Sequence, residues 1–479
     1  MAEESMLDFS AKKHIHCIGV GGIGLSAIAE ILLARGFKVS GSDMKESDIT
    51  DKLIKNGARI YLGHRSKNIA GADLVIFSAA VSAENPELAL ARELGIEVVS
   101  RAEALGALMR ECECSIAIAG THGKTTTTSM ISLILKESGS DPTILVGGNL
   151  SEINGNVRVG GGDFFVTEAC EYMDSFLKLA PKYAVILNID SDHLDYFSDI
   201  EHIVRSFNTF ANLTPKWGAV IAYDANPFVN SILKDLDRRV ITFGFHDKCD
   251  YRAADIQFSQ DGMPAFSLVC GGEELCHIQL AVPGEHNIAN ALAAFACCHD
   301  AGVAPDVIKR TLEVFAGTQR RFDVLGETEG NVRVVDDYAH HPAEIQATLK
   351  AAEKIPHRQL WCLFQPHTYT RTLALFSEFA DSFELADKLV MAEIYAAREK
   401  NIHKISSKAL VDEILRKHPE KEAWFLPGFD EIALFVRERA EPGDLVITMG
   451  AGDIYQVGEK ILEMDHAAET DVIRGKPIG

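Results

Sequence analysis

The sequence lacks the segments that would direct a chain into or across a membrane. Residues Met1 to Lys13 are polar and of mixed charge, without the apolar core of a signal peptide. No apolar run approaches the roughly 20 residues that a membrane-spanning helix needs. We therefore expect a cytoplasmic protein without membrane insertion.

Paired metal-binding cysteines are also missing. The 10 cysteines include no C-x-x-C pair, and Cys17, Cys270 and Cys297 have mostly apolar neighbours. This usage predicts reduced, buried thiols of a cytosolic protein. Neither a disulfide framework nor a structural zinc site is expected.

Positive charge is scarce. The chain carries 47 Lys plus Arg against 69 Asp plus Glu, a net charge of -22. Attraction to nucleic acid or to an anionic membrane is therefore not expected, whereas a small anionic substrate can still bind where basic residues gather. With 479 residues and 47% hydrophobic content, the chain is long enough for about three domains.

The first motif is a glycine loop after a short apolar strand. Gly19, Gly21 and Gly24 form G-x-G-x-x-G, followed by a predicted helix from Leu25 to Arg35. A second strand, Phe37 to Ser40, is predicted next, with Ser42 and Asp43 following it. This layout is typical of a Rossmann-like domain, whose loop binds the diphosphate of NAD or of another nucleotide. From this segment alone a dehydrogenase is the favoured interpretation.

The second motif, G-T-H-G-K-T-T, follows the apolar run Ser115 to Ala119 and precedes a predicted helix from Thr127 to Lys136. A strand, a glycine turn with one lysine and a helix form a phosphate-binding loop. The usual first glycine, five residues before the Gly-Lys pair, is here Ile118, and a glycine stands instead three residues before the pair. The alternative is a plain surface turn. The candidate nucleotide-binding residues are Gly120, Thr121, His122, Gly123, Lys124, Thr125 and Thr126.

Two later strands end in groups suited to magnesium. Phe164 to Thr167 leads to Glu168, and Tyr183 to Ile189 leads to Asp190, Asp192 and His193. An isolated acid at a strand end is more often simply solvated. Two such strand ends after a phosphate-binding loop favour a ligand site, because open parallel sheets bind ligands at their carboxyl edge.

Two asparagines begin a later helix. Asn287 and Asn290 are one turn apart, where their amides could contact a base edge or stabilise the start of the helix. The segment Gly317 to Asp323 then predicts a hinge into a third domain, which alternates strands and helices again.

Together these motifs resemble one family along essentially the whole chain, the Mur ligases. The motifs are G-V-G-G-I-G at Gly19, G-T-H-G-K-T-T at Gly120, E-A-C-E at Glu168, N-I-D-S-D-H-L-D at Asn188, G-E-H-N-I-A-N at Gly284, R-R-F-D at Arg320, D-D-Y-A-H-H-P at Asp336 and F-Q-P-H-T-Y-T-R-T at Phe364. The resemblance implies ATP- and Mg²⁺-dependent amide formation between the lactyl carboxylate of UDP-N-acetylmuramate and L-alanine, in peptidoglycan precursor synthesis. An acyl phosphate would be the intermediate.

The resemblance also implies roles for individual residues. Lys124 would hold the β- and γ-phosphates, and the expected catalytic residues are Lys124, His193, His340 and Arg371. The expected metal-binding residues are Thr125, Glu168 and His193. Those expected near the nucleotide, besides the phosphate-binding loop, are His286, Asn287, Asn290 and Arg320. Those expected to contact the UDP-sugar or the amino acid are Gly19, Gly21, Gly22, Gly24, Ser42, Asp43, His64, Ser78, Tyr338, His340 and Arg371.

The sequence departs from the family pattern at three places. Cys170 and Tyr172 stand where relatives often carry acid and serine side chains in E-A-D-E-S-D, and Thr368 replaces an arginine of P-H-R-Y. No lysine lies between Asp195 and Pro215, where relatives that add D-glutamate or a diamino acid carry a carbamoylated one. This absence favours the alanine-adding branch or its peptide-recycling cousin.

We therefore predict an α/β chain of three domains: a Rossmann-like UDP-sugar domain (1–108), a central P-loop ATP domain (109–321) and a Rossmann-like amino-acid domain (322–479). The alternatives are a tripeptide-recycling ligase, a nicotinamide dehydrogenase and a non-catalytic nucleotide-binding regulator. The sequence does not indicate the oligomeric state, which could be monomeric or dimeric.

Overall fold

The computed structural model describes residues 7–194 and 196–473. The chain divides into two compact units. The first comprises Met1–Asp190, Ile200–Arg252 and Leu292–Thr311, and the second comprises Ser191–Asp199, Ala253–Ala291 and Leu312–Gly479. Within the described ranges, no helix combines the length and the apolar character that a membrane crossing requires.

The N-terminal segment of the first unit alternates strands and helices around a parallel five-stranded sheet. Its elements are β1 (His14–Ile18), α1 (Ile23–Ala34), β2 (Lys38–Asp43), α2 (Asp48–Lys55), β3 (Arg59–Leu62), β4 (Leu74–Phe77), α3 (Pro86–Glu93), β5 (Glu97–Ser100) and α4 (Arg101–Arg110), with a 3₁₀ helix at Ser66–Ile69. The strand order is β3-β2-β1-β4-β5. The strand order reverses at β1, and the glycine loop follows β1 at this point, where open α/β sheets bind ligands.

The second strand is longer than predicted. β2 extends to Asp43, because Ser42 pairs with Ile18 on one side and with Tyr61 on the other. Ser42 and Asp43 therefore belong to the strand rather than to the loop after it.

The rest of the first unit contains a second sheet around the nucleotide loop. The next elements are β6 (Cys114–Ala119), α5 (Lys124–Glu137), β7 (Thr143–Leu150), β8 (Gly155–Arg158), β9 (Phe164–Glu168), β10 (Tyr183–Ile186), α6 (Ile200–Leu213), β11 (Ala219–Tyr223), α7 (Pro227–Leu233) and β12 (Val240–Gly244), with 3₁₀ helices at Ser151–Ile153 and Tyr172–Lys178. Strands β6 to β12 lie in the order β12-β11-β10-β6-β9-β7-β8. β6 is parallel to both neighbours, β9 and β10, so the loop after β6 and Glu168 at the end of β9 lie at the same edge of the sheet.

A hairpin and two helices follow in the chain. The elements are β13 (Tyr251–Phe258), β14 (Pro264–Cys270), β15 (Glu273–Gln279), α8 (Glu285–Asp300) and α9 (Pro305–Val314). β14 and β15 pair in antiparallel fashion, with an irregularity between Leu268 and Val269.

The C-terminal segment forms the third sheet. Its elements are β16 (Asp323–Glu327), β17 (Arg333–Asp337), α10 (Pro342–Glu353), β18 (Leu360–Phe364), α11 (Tyr369–Ala374), α12 (Phe376–Ala380), β19 (Lys388–Met391), α13 (Ser407–Lys417), β20 (Glu422–Phe425), α14 (Phe429–Arg437), β21 (Leu445–Met449) and α15 (Tyr455–Ile473). The strand order is β16-β17-β21-β18-β19-β20, parallel except for β16.

Alternation along β18 shows why this third sheet is covered on both faces. Cys362 and Phe364 pack into one buried cluster, whereas Trp361 and Leu363 pack into another. Successive side chains of a strand point to opposite faces, so a strand that is apolar throughout needs helices on both sides. The predicted α/β class with Rossmann-like layering is confirmed. The predicted boundaries at 108/109 and 321/322 stay predictions, and the first of them falls inside α4.

Candidate active site

The shape of the loop between β6 and α5 depends on two glycines. Gly120 and Gly123 have φ angles of +145° and +84°, which side chains with a Cβ rarely adopt. A Cβ on Gly120 would lie 3.0 Å from the Cβ of Leu187. The displaced glycine therefore permits close contact with the chain after β10. α5 begins at Lys124, three residues earlier than predicted, so Lys124 and Thr125 lie in its first turn, where backbone N–H groups have no partner within the helix.

Asn188 fixes the conformation of this loop. Its Oδ1 accepts a hydrogen bond from the backbone N–H of His122 at 2.8 Å, and its Nδ2 donates to the His122 carbonyl at 3.0 Å. The backbone N–H of Asp190 donates to the hydroxyl of Thr121 at 2.9 Å. The N-I-D motif draws attention in the sequence through Asp190, but Asn188 is the residue that holds the loop through its hydrogen bonds to the backbone of His122.

Lys124 is held by a carboxylate that the sequence analysis did not assign. Its Nζ donates to Glu171 Oε1 at 3.2 Å, to the carbonyl of Thr121 at 3.1 Å and to the carbonyl of Gly120. Glu171 is only 2% exposed. Burial disfavours the charged form of Lys124, but the neighbouring Glu171 raises its pKa above the ordinary value. The second acid of E-A-C-E was the signal that could have identified Glu171.

Glu168 stands at the end of β9 with its carboxylate turned toward β7. Its Oε1 accepts a hydrogen bond from the backbone N–H of Gly147 at 2.7 Å. A Cβ on Gly147 would lie 2.7 Å from Glu168 Oε2, so this approach requires glycine. Thr125, the other predicted metal-binding residue in this unit, is buried in the first turn of α5.

In the second unit, Arg371 binds Asp192. The guanidinium donates from Nε and Nη2 to Asp192 Oδ1 at 3.1 and 3.0 Å, and from Nη2 to Oδ2 at 3.3 Å. Burial would raise the pKa of Asp192, but Arg371 and the adjacent His193 hold it well below its usual range. His193 has a φ of +53°, and its backbone N–H donates to Asp192 Oδ1 at 2.7 Å. Asp192 thus links the predicted metal-binding histidine to the predicted carboxylate-binding arginine.

Aromatic rings surround this pair. The ring of His340 lies 5.4 Å from that of Tyr338 and 5.8 Å from that of His367. Burial, with His340 and Arg371 close by, lowers the pKa of His367 to about 4. His367 is therefore neutral near pH 7, and its Nδ1 accepts a hydrogen bond from Arg371 Nη1 at 3.2 Å. The structure brings Tyr338, His340, His193 and Arg371 together within the second unit.

Arg320 is anchored inside the second unit. Its Nε donates to Asp336 Oδ2 at 2.9 Å and its Nη2 to the carbonyl of Gly450 at 2.7 Å. Its guanidinium also lies over the rings of Tyr338, at 4.9 Å, and Tyr455, at 4.7 Å. Its predicted contact with the nucleotide stays a prediction.

The two asparagines of α8 contact each other and the preceding loop. Asn287 Nδ2 donates to the carbonyl of Pro283 at 2.7 Å, and Asn290 Nδ2 donates to Asn287 Oδ1 at 3.0 Å. Both are buried, whereas His286 is exposed. The amides stabilise the start of the helix in this state, and binding of the adenosine stays a prediction for all three residues.

The first glycine loop is tied to β2. Gly19 has a φ of +79°, and its N–H donates to the carbonyl of Ser42 at 2.8 Å. The N–H of Gly21 donates to Asp43 Oδ2 at 2.8 Å. Gly22 is the N-cap of α1 and supplies no side-chain hydrogen bond, so the first N–H groups of this helix are available to an anion.

Ser42 and His64 belong to a polar network beneath the loop. The Ser42 hydroxyl, fully buried, donates to Glu87 Oε2 at 2.6 Å and lies 3.0 Å from His64 Nδ1. Although burial opposes ionisation, hydrogen bonds from His16, Ser42 and Asn68 lower the pKa of Glu87 to about 2. Glu87 is thus a buried carboxylate that organises the residues predicted to lie near the nucleoside.

A cavity of about 320 Å³ joins the glycine loop to Glu168 within the first unit. It is lined by Gly22, Ile23, Gly24, Leu25, Ser78, Arg101, Ala102, Leu105, Leu145, Val146, Gly147, Asn156, Thr167, Glu168, Cys170, Ser175, Phe176 and Leu179. The cavity therefore connects a predicted diphosphate site with a predicted metal-binding carboxylate.

Comparison with known proteins gives the same family in every segment. Residues 14–112 match the model of the Mur ligase family catalytic domain, 118–298 the Mur ligase middle domain, and 320–452 the Mur ligase glutamate ligase domain. A relative from Alkaliphilus metalliredigens, UDP-N-acetylmuramate--L-alanine ligase, is 52% identical over 456 residues, which are 95% of this chain and 98% of the relative.

Two solved structures are also similar. UDP-N-acetylmuramate-alanine ligase MurC from Thermotoga maritima has a TM-score of 0.79 at 29% identity, over 95% of this chain and all of that one. A murein peptide ligase from Psychrobacter arcticus has a TM-score of 0.70 at 26% identity, over 94% of this chain and 98% of that one. From its three matched segments and its close curated relatives, the chain belongs to the Mur ligase family, whose members are ATP-dependent ligases.

Proposed function

We propose that this chain is an ATP-dependent ligase of the cytoplasm that joins L-alanine to the lactyl carboxylate of UDP-N-acetylmuramate in peptidoglycan precursor synthesis. The observation that carries the proposal is the cavity that runs from the first glycine loop to Glu168, beside the nucleotide loop of the same sheet edge. A substrate with a diphosphate at one end and a carboxylate at the other fits this arrangement. The name of the Alkaliphilus relative supports alanine as the amino acid.

The chemistry explains why a nucleotide loop is needed. A carboxylate resists attack by an amine because it is anionic and has no good leaving group. Transfer of the γ-phosphoryl group of ATP makes an acyl phosphate, whose carbonyl then accepts the amine as phosphate leaves. Catalysis of phosphoryl transfer is mainly positioning and charge neutralisation, and we assign this role to Lys124 and to the N–H groups at the start of α5.

The residues near Lys124 fit a magnesium ion. Magnesium prefers oxygen ligands and usually takes one or two carboxylates together with phosphate oxygens. Glu168 offers a carboxylate whose Oε1 accepts a hydrogen bond from the backbone N–H of Gly147, and Thr125 offers a hydroxyl. His193, which belongs to the second unit, is the third proposed ligand. When bound, Mg²⁺ would neutralise the charge on the transferring phosphoryl group.

The second unit supplies the groups for the amino acid. Arg371 suits the carboxylate of L-alanine, because a guanidinium binds a carboxylate through two parallel hydrogen bonds, as its Nε and Nη2 do here with the two carboxylate oxygens of Asp192. Tyr338 and His340 lie beside it and are proposed to position the amine. His286, Asn287, Asn290 and Arg320 are proposed to contact the adenosine part of ATP.

The test is a coupled phosphate-release assay with purified chain, ATP, Mg²⁺ and UDP-N-acetylmuramate. We expect release that depends on L-alanine, with mass spectrometry showing the amide product. Release without an amino acid, or none with any amino acid of a panel, would contradict the proposal.

A recycling ligase that attaches a whole tripeptide is the second candidate, since the Psychrobacter murein peptide ligase is also similar. The same assay separates the two, because a recycling enzyme would prefer the tripeptide to L-alanine. The family assignment removes the dehydrogenase interpretation, since the segment with the Gly19 loop matches a Mur ligase model. Turnover that requires both other substrates would exclude a non-catalytic regulator.

A further inference from the structure

We propose that Tyr395 is a positioning residue for amide formation. It holds the imidazole of His367, and this imidazole holds the guanidinium of Arg371 in the orientation that binds the carboxylate of the amino acid. Tyr395 lies in the connection after β19, outside all the motifs described above. The proposal rests on the proposed function for the role of Arg371, and it adds a residue that acts on this arginine through another side chain.

Tyr395 holds His367 through its backbone and through its ring. The N–H of Tyr395 donates to the carbonyl of Pro366 at 2.9 Å, and the N–H of Thr368 donates to the carbonyl of Tyr395, also at 2.9 Å. These two hydrogen bonds flank His367, which pairs with Tyr395 in a parallel β-bridge. The two rings are stacked, with centroids 5.5 Å apart and planes inclined by 16°. The imidazole is thereby fixed in both position and plane.

His367 in turn completes the contacts of Arg371. Nε and Nη2 of the guanidinium bind Asp192, and Nη1 donates to His367 Nδ1 at 3.2 Å. All three nitrogens are engaged, so the guanidinium plane cannot turn without losing a hydrogen bond. Each Nη carries two N–H groups, so Nη1 keeps one N–H for a ligand. His367 thus restrains the arginine at the nitrogen that Asp192 does not contact.

The surroundings of Tyr395 suit this contact better than a role in the core. Tyr395 is 37% exposed, and its hydroxyl makes no hydrogen bond with any residue of the described ranges. Tyr395 lines a cavity of about 470 Å³, whereas His367 does not. A Cβ on Gly452 would lie 2.9 Å from the Cγ of Tyr395, so the glycine after β21 makes room for the ring. Loss of the ring would free the imidazole and expose it to water.

The main experiment measures steady-state kinetics with varied L-alanine. We expect Tyr395→Ala to raise the KM for L-alanine by about 2- to 10-fold, because a stacked pair of rings contributes about that much. The change in kcat should be smaller, and the KM for ATP should stay as in the parent. Tyr395→Phe should restore parent-like values, since it keeps the ring and removes only the hydroxyl. Leu434→Ala, on the exposed face of α14, is the control for the loss of an exposed apolar side chain.

A double-mutant cycle separates positioning from direct contact with the amino acid. If Tyr395 acts through His367, Tyr395→Ala should add little to the KM for L-alanine in a His367→Ala background. A tyrosine that contacts the substrate itself would add its full effect in that background.

A second readout does not depend on turnover. Burial, His340 and Arg371 lower the pKa of His367 to about 4, against the opposing effect of Asp192. The NMR signal of this imidazole, assigned with His367→Gln, should titrate at a higher pH in Tyr395→Ala, because water then reaches the ring. Thermal unfolding of the variants checks that the fold is kept.

Three outcomes would overturn the proposal. These are a parent-like KM for L-alanine in Tyr395→Ala, an additive effect in the His367→Ala background, and a His367 signal that titrates as in the parent. If the parent turns over only a tripeptide, the proposed function fails, and the same comparison of KM is made with the tripeptide. If it turns over no amine at all, the proposed function fails, and the NMR titration still decides whether Tyr395 holds His367.

Discussion

Lys124 in the nucleotide loop and Arg371 in α11 are both held by a carboxylate of their own unit, and the two pairs differ in geometry. The ammonium of Lys124 shares its donors between Glu171 and two loop carbonyls. The guanidinium of Arg371 meets Asp192 through a planar fork. A flexible point charge can move to a phosphate while it keeps some of these contacts, whereas the planar fork keeps one orientation. The first pair is therefore suited to exchange, and the second to orientation.

Removal of the lysine should have the largest effect on turnover. We expect Lys124→Ala to lower kcat for phosphate release by at least about 10³-fold, because the charge on the transferring phosphoryl group loses its cation. The check is single-turnover phosphate release, with circular dichroism to confirm the fold. Lys136→Ala, near the other end of α5, should keep parent-like rates. A Lys124→Ala variant with near-parent turnover would refute the assigned role.

Replacement of the Arg371 guanidinium by a lysine ammonium tests the pair formed by Arg371 and Asp192. We expect Arg371→Lys to raise the KM for L-alanine by roughly 10- to 100-fold, with a smaller change in kcat, since lysine cannot form two parallel hydrogen bonds to a carboxylate. Steady-state kinetics with varied L-alanine provides the measurement. Arg416→Lys, on the exposed face of α13, is the control. An unchanged KM would mean that Arg371 serves Asp192 alone.

The pH dependence of turnover tests the contact between Lys124 and Glu171. Glu171 raises the pKa of Lys124, so Glu171→Gln should lower that pKa. The lysine then loses its proton at a lower pH, so the alkaline limb of the pH profile of kcat/KM for ATP should shift to lower pH. Glu137→Gln, at the exposed end of α5, should leave the profile in place. A limb that stays fixed or moves upward would contradict the assigned contact.

Glu87 differs from Glu171 and Asp192, because it is a buried carboxylate that contacts neither Lys124 nor Arg371. Its folded pKa of about 2 lies below the ordinary 4.5, so its stabilisation is present above pH 4.5 and is lost as the pH falls toward 2. We expect Glu87→Gln to lower the free energy of unfolding by about 3 kcal/mol at pH 7, with little change in kcat.

Urea unfolding of this variant and the parent at several pH values checks the prediction. The difference in free energy of unfolding between the parent and the variant should become smaller below pH 4.5. A gap that persists to pH 2.5, or a large loss of kcat at unchanged stability, would argue against a structural role for Glu87.

The fold and the backbone of the site followed from sequence patterns, because glycine loops after apolar strands have few alternative structures. The strand-loop-helix pattern predicts that Gly120 to Thr126 and Glu168 lie at one edge of the sheet, and the parallel pairing of β6 with β9 places them there. Spacing along the chain could not show which side chains contact each other. Glu171, Asn188 and Asp192 all belong to motifs that the sequence shows, but the side chains and backbone groups that they contact depend on loop conformation.

The contacts of Ser42 and Asp43 show what spacing along the chain leaves open. Both residues have the spacing of nucleoside-binding residues, and β2 runs through them, so that the Ser42 hydroxyl donates to Glu87 and the Asp43 carboxylate accepts from the N–H of Gly21. Their contact with the nucleoside stays a prediction.

The contact between Gly147 and Glu168 has a consequence for how this chain tolerates change. Gly147 lies on β7, outside every recognised motif, at a surface position with no unusual φ. A saturation library would be expected to accept many residues at such a site. A Cβ at this position would enter the space of the Glu168 carboxylate. In cells whose growth depends on the enzyme, selection should therefore restrict position 147 to glycine as strictly as it restricts position 168 to glutamate.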